Sequence, residues 1–142
     1  MFAQNNSDGN QPQGAQPQNP VDDAQEPLTV IGPFTICGNG LIGFCDTPRR
    51  PVRRDHVEIS KTFMKLCRRT AMVGREHAPV SSLLKHVIER WAHRYISTGA
   101  VIVAALEMEI AVTPVGEGSR DAMIGINIRD VKRLTKEVWS WT

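Results

Sequence analysis

APVSSLLKHVIERWAHRYISTGAVIVAALE, residues 78–107, holds the two segments on which the fold turns. In its first half Leu83, Leu84, Val87, Ile88, Trp91 and Ala92 recur at i, i+1, i+4, i+5, i+8 and i+9, which gathers them on one side of a helix. Ser81, following Pro79, is placed to cap the start, while Lys85, Glu89 and Arg90 lie away from the apolar stripe. The second half continues as ISTGAVIVAALEMEIAV, residues 96–112, apolar nearly all round and charged at Glu107 and Glu109 alone. Pattern alone admits a buried helix or a buried strand. Ala104, Ala105, Leu106, Glu107 and Met108 favour the helix and Ser97 or Thr98 can cap it, so a central helix surrounded by packing partners is expected, ended or kinked by Pro114.

Downstream, the loop VGEGSRDA leads to Ile124-Gly-Ile-Asn-Ile128, which alternates like a short strand. Asp130 can then cap a last helix with Val131, Leu134, Val138 and Trp141 on one face and Lys132, Arg133 and Lys136 on the other. Upstream, a basic amphipathic helix is expected over 55–74. Asp55 and Glu58 have capping-box spacing, Ile59, Phe63, Leu66 and Cys67 recur at helical intervals, and Gly74 can close the end. Residues 27–54 mix β-branched residues with Gly and Pro, so short extended pieces joined by turns are expected in a connector with a basic end. The connector contains a literal G-x-G-x-x-G at Gly38, Gly40 and Gly43. Pro48 and Pro51 follow at once, leaving no helix whose N-terminus could face a pyrophosphate, so no nucleotide loop is assigned.

Charge divides the chain unevenly. Residues 1–26 hold four acidic and no basic side chains within a Gln-, Asn- and Pro-rich composition that buries too little apolar surface to offset chain entropy, so a disordered leader is expected. The remainder therefore carries +6 although the whole chain is +2. Between Arg49 and Arg94 there are 12 basic and 4 acidic residues, a density suited to a polyanion. About 115 residues remain to fold, enough for one modest domain and too few for a barrel or a full dinucleotide-binding fold. A secretory signal would need early positive charge and an apolar run, neither of which the leader supplies; no apolar stretch approaches the roughly 20 residues that cross a bilayer. Cys37, Cys45 and Cys67 lack C-x-x-C spacing and fit a reducing compartment. His86, Glu89 and His93 share one helix face, but without ligands from a second element they are read as solvated side chains, and no metal or cofactor is expected. Nor does a nucleophile stand beside a base, so no enzyme is indicated.

The order of a medium helix, a central apolar helix, a short strand and a last helix resembles the histone fold, and residues 78–139 carry the likeness. The first 30 of them are similar to core histone 2A: Pro79-Val80 opens the first helix, Trp91, Ala92 and Arg94 match an aromatic-Ala-x-Arg that leads into the loop, and Thr98-Gly99-Ala100 matches the small-residue turn before the central helix. INIRDVKRLTKEV resembles the strand and last helix of histone folds, with Asp130 at the start of the helix. Ile96-Ser97 is shared with the gamma subunit of the CCAAT-binding factor, a histone-fold relative.

The resemblance implies an all-α histone fold over 78–142, with short, long and short helices, preceded by the added basic helix and the leader. It further implies heterodimerisation with a histone 2B-like or other histone-fold partner, burying Val101, Val103, Ala105, Leu106 and Ile110 in the interface. Duplex DNA would be held with little sequence preference by Arg94 first and Lys85 second, with Lys61, Lys65, Arg68, Arg69 and Arg75 adding phosphate contacts. Asp130 is expected to pair with Arg120, and the setting implied is chromatin in the nucleus. Two other readings stand beside packaging: a histone-fold subunit of a transcription or remodelling complex, and a small nucleic-acid-binding interaction protein.

Overall fold

A computed structural model describes residues 28–42, 50–71, 74 and 76–139, with side chains to residue 136. Among the described residues the chain forms β1 (Thr29–Ile31), β2 (Phe34–Cys37), β3 (Gly40–Leu41), α1 (Arg54–Met64), α2 (Ser81–Ala92), α3 (Thr98–Glu107), β4 (Val112–Pro114), β5 (Ala122–Ile124) and α4 (Ile128–Trp139). The strands make two antiparallel sheets, a meander β1-β2-β3 and a hairpin β4-β5. This mixed α/β architecture overturns the all-α histone expectation. The physical reason lies at two places: the extended pieces expected in the connector pair with one another into a sheet, and the central helix stops early.

Helix α3 sits at the centre. Gly99 to Ala105 are buried without interruption, because α1, α2, the meander and the hairpin all pack around them. Uniform apolarity is therefore correct for this helix, as is its cap: the Ser97 hydroxyl accepts the Ala100 N–H at 3.2 Å. Its length is not as expected. The Ile110 N–H reaches the Ala105 carbonyl at 2.8 Å and the Glu109 N–H the Leu106 carbonyl at 3.0 Å, with Glu109 at φ 60°, which is a Schellman stop. Pro114, expected to end or kink the helix, lies beyond that stop and pairs with Ala122 in the hairpin instead.

Val101, Val103, Ala105 and Ile110, assigned to a dimer interface, are buried within the single chain, and Leu106 is partly buried. The handshake face is thus already covered by the chain's own elements. On one side Glu107 ties α3 to α1, accepting from Arg54 Nη1 at 2.7 Å and from Lys61 Nζ at 2.7 Å. These cations hold its carboxyl down at about 2.

The meander touches α3 closely enough to fix a glycine. A Cβ on Gly99 would lie 1.8 Å from the Cys37 carbonyl oxygen, where the Gly99 N–H donates to the Gly38 carbonyl at 3.1 Å. The hairpin fixes the start of α2 in a comparable way. Ser81, expected to cap that helix, is its first residue; its buried hydroxyl donates to Asp121 at 2.8 Å and accepts the Ala122 N–H at 3.0 Å.

Further expectations are corrected at α1 and α4. Helix α1 ends at Met64, ten residues before Gly74, and residues 68–70 run extended against 125–127 through the Thr70 N–H to Gly125 carbonyl bond (2.8 Å) and the Asn127 N–H to Arg68 carbonyl bond (2.7 Å). Nor does the capping box form, since Asp55 lies inside the helix and the N-cap, Arg53, makes no side-chain capping bond. At α4 the cap is Asn127, whose Oδ1 accepts the Arg129 and Asp130 N–H groups at 2.9 and 3.3 Å. Asp130 pairs not with Arg120 but with Arg68, accepting its backbone N–H at 2.8 Å and its guanidinium at 3.1 Å.

Candidate nucleic-acid interface

The end of α2 decides where the basic loop points. His93 takes the left-handed conformation, φ 59°, and its N–H and that of Arg94 both reach the Glu89 carbonyl. The chain turns sharply there, so Arg94 and Tyr95 leave the helix axis and face α1. On the opposite side Pro51 and the extended Arg53 lead into α1, and the Arg50 carbonyl accepts the Gly38 N–H at 2.6 Å.

These segments enclose a cleft of about 640 Å³ lined by Gly38, Asn39, Arg50, Pro51, Arg53, His56, Arg94, Tyr95 and Ser97. Three of the lining side chains are arginines and none is a carboxylate. Beside the lining, Asp55 organises two of the cations: Arg53 donates to it through Nε and Nη2, each at 3.0 Å, and Arg94 through Nη2 at 2.9 Å. The Arg53 guanidinium holds the Asp55 carboxyl well below the usual carboxylate range, so it stays charged as the tether. One carboxylate thus aligns two guanidiniums while leaving them further N–H donors.

Tyr95 is the exposed aromatic of the site, with 63 % of its surface open. Lys85 Nζ sits over its ring at 5.0 Å from the centroid, and the His56 ring meets it edge-on at 5.8 Å. Lys85 is itself held by Glu89 at 2.9 Å, and Glu89 also accepts the Ile96 N–H. His56 is buried with Nδ1 lacking a hydrogen-bond partner, and burial pushes its pKa below the ordinary histidine value.

Of the residues assigned to DNA by sequence, the structure brings Arg94 to the cleft and sets Lys85 behind Tyr95. Lys61 is engaged with Glu107 and Arg68 with Asp130; Lys65 and Arg69 are exposed, Arg69 bridging to Ile126 through its backbone. Arg75, like the leader and Gly43, lies outside the described residues. Sequence reasoning left Arg50, Arg53, His56 and Tyr95 out of the site, although an Arg pair on each side of Pro51 and a tyrosine directly after Arg94 were both in view.

A second cavity of about 490 Å³ lies between the meander and the β4-β5 loop, and Glu117 is the charged residue of its lining. Among the described residues no group of three or more His, Cys, Asp or Glu could hold a metal, and no helix is long and apolar enough to cross a membrane. His86 instead contacts Glu89 at 3.3 Å. Cys37 and Cys67 are buried thiols outside any disulfide, and burial pushes Cys67 up to about 11, which keeps its thiolate scarce near neutral pH. No protein-family model, curated protein or solved structure matches the chain.

Proposed function

We propose that this protein binds nucleic acid through the cleft between α1 and the α2-α3 loop, gripping phosphates rather than reading bases. The observation that carries this is the convergence of Arg50, Arg53 and Arg94 on one concave surface with no carboxylate in its lining. Guanidiniums present several N–H donors in a plane and match phosphate oxygens bidentately, and Asp55 holds two of them in place before any ligand arrives. Burial of the α3 face within the chain removes the reason for an obligatory histone-type partner, so the reading retained is a small nucleic-acid-binding protein.

Salt titration tests it. Each phosphate neutralised lowers the logarithm of affinity with the logarithm of salt by roughly 0.7 to 0.9. Arg94→Ala is expected to weaken binding alike on unrelated sequences and to reduce that slope by about 1. Binding that ignores salt, or a loss confined to one sequence, rejects the proposal.

A further inference from the structure

Phosphate contacts alone do not explain Tyr95. A large aromatic side chain that is 63 % open, beside three arginines, keeps apolar surface in water without a packing role of matching size. Its position is nevertheless well fixed: Lys85 Nζ sits over one face of the ring, the His56 ring packs against it in a T-shaped contact, and Glu89 anchors both Lys85 and the Ile96 N–H that follows. Surfaces that track single strands combine this pair of features, guanidiniums along the backbone and a rigid aromatic on which a base lies flat.

The shape of the site also selects. A cleft of about 640 Å³ is the size of a pocket for a small molecule or one nucleotide, whereas duplex recognition uses a helix or strand that projects into a groove. The cleft's residues come from the β2-β3 turn, the extended lead-in, the N-cap and first turn of α1 and the α2-α3 loop, a concave lining rather than a projecting helix or strand. In a duplex, moreover, the bases stack on one another and offer no open face.

We infer that the cleft takes a nucleotide of a single-stranded nucleic acid, its base stacked on Tyr95 and its phosphate held by Arg53 and Arg94. The inference rests on the nucleic-acid reading above and deepens it. Within this arrangement Lys85 is a positioning residue for Tyr95, and Asp55 for the two guanidiniums.

Fluorescence anisotropy on the full chain decides it, with fluorescein-labelled oligouridine and oligothymidine of about ten nucleotides and a duplex of equal length. Single strands should bind more tightly than the duplex, the ribo and deoxy forms distinguishing RNA from DNA as the source. Tyr95→Leu should weaken single-strand binding about tenfold, while Tyr95→Phe should restore it. Photocrosslinking of the unmodified protein to 5-iodouridine-substituted oligomer should map to Tyr95, a readout independent of how the variants fold. Salt-dependent binding that is equal for duplex and single strand, or indifferent to Tyr95→Leu, or crosslinked elsewhere, overturns the single-strand inference and leaves the nucleic-acid reading standing. Absence of binding to every probe at low salt overturns both.

Discussion

Asp130 shows how one side chain can hold two distant segments. Its carboxylate is nearly buried, accepts the Arg68 N–H and guanidinium, and contacts Arg133 at 3.6 Å. Arg68 holds it down at about 2. Asp130→Ala leaves the Arg68 N–H without that acceptor, and a loss of about 1–3 kcal/mol in denaturant unfolding is expected. His56 works in the opposite chemical sense. Burial lowers its pKa in the folded state relative to the unfolded chain, outweighing the nearby Asp55, so protonation favours unfolding. Stability is then complete above about pH 6.5 and falls as pH drops below that value; His56→Leu should flatten this part of the urea midpoint against pH. A profile unchanged by the substitution would assign the pH dependence to other groups.

Among the elements, α3 has the most informative boundaries. Its stop places Glu109 in a conformation that suits glycine, so Glu109→Gly is expected to raise stability by about 0.5–1 kcal/mol, measured as a higher melting temperature. Gly99→Ala tests the other end. A methyl there would run into the Cys37 carbonyl, a backbone atom that cannot swing aside, and a loss of about 3 kcal/mol or more is expected. Helices α2 and α3 and the Ser97 cap were legible because their signals are local: periodic apolar residues, a run of helix formers, a hydroxyl one residue ahead. Extended pieces were expected in residues 27–54, but their pairing into a sheet was not. Strands of two to four residues are too short to display a period, and what orders the meander is contact with α3 across some 60 residues of chain. The Schellman stop was equally hidden, since a glutamate carries no signal for a left-handed turn. At the site, Arg94 could be named from sequence, but the partners that give it meaning lie about 40 residues away: Arg53 meets it through Asp55, and Arg50 shares the cleft lining.

At the scale of the molecule, the described fold closes its core without a second chain. Val101, Val103 and Ala105 meet α1, α2 and both sheets rather than solvent. The melting temperature should therefore stay constant across a hundredfold range of protein concentration, roughly, whereas an obligatory dimer would melt higher as concentration rises. Acid should unfold the whole in a defined window. Glu107 and Asp130 both have carboxyls lowered to about 2, so the stability they contribute is present above the unfolded values near pH 4 and is lost as pH falls toward 2.

Gly38 joins these scales. Its N–H is bound to the Arg50 carbonyl in the cleft wall, and its carbonyl accepts the Gly99 N–H at the start of α3, two residues past the lining Ser97. A Cβ at Gly38 would come within 3.2 Å of Arg50. The consequence is genetic as much as structural: a screen of random variants for lost binding will return small residues of the meander alongside the arginines. Those hits would act through the placement of the Arg50 segment against α3, because the Gly38 turn of the meander is hydrogen-bonded to both.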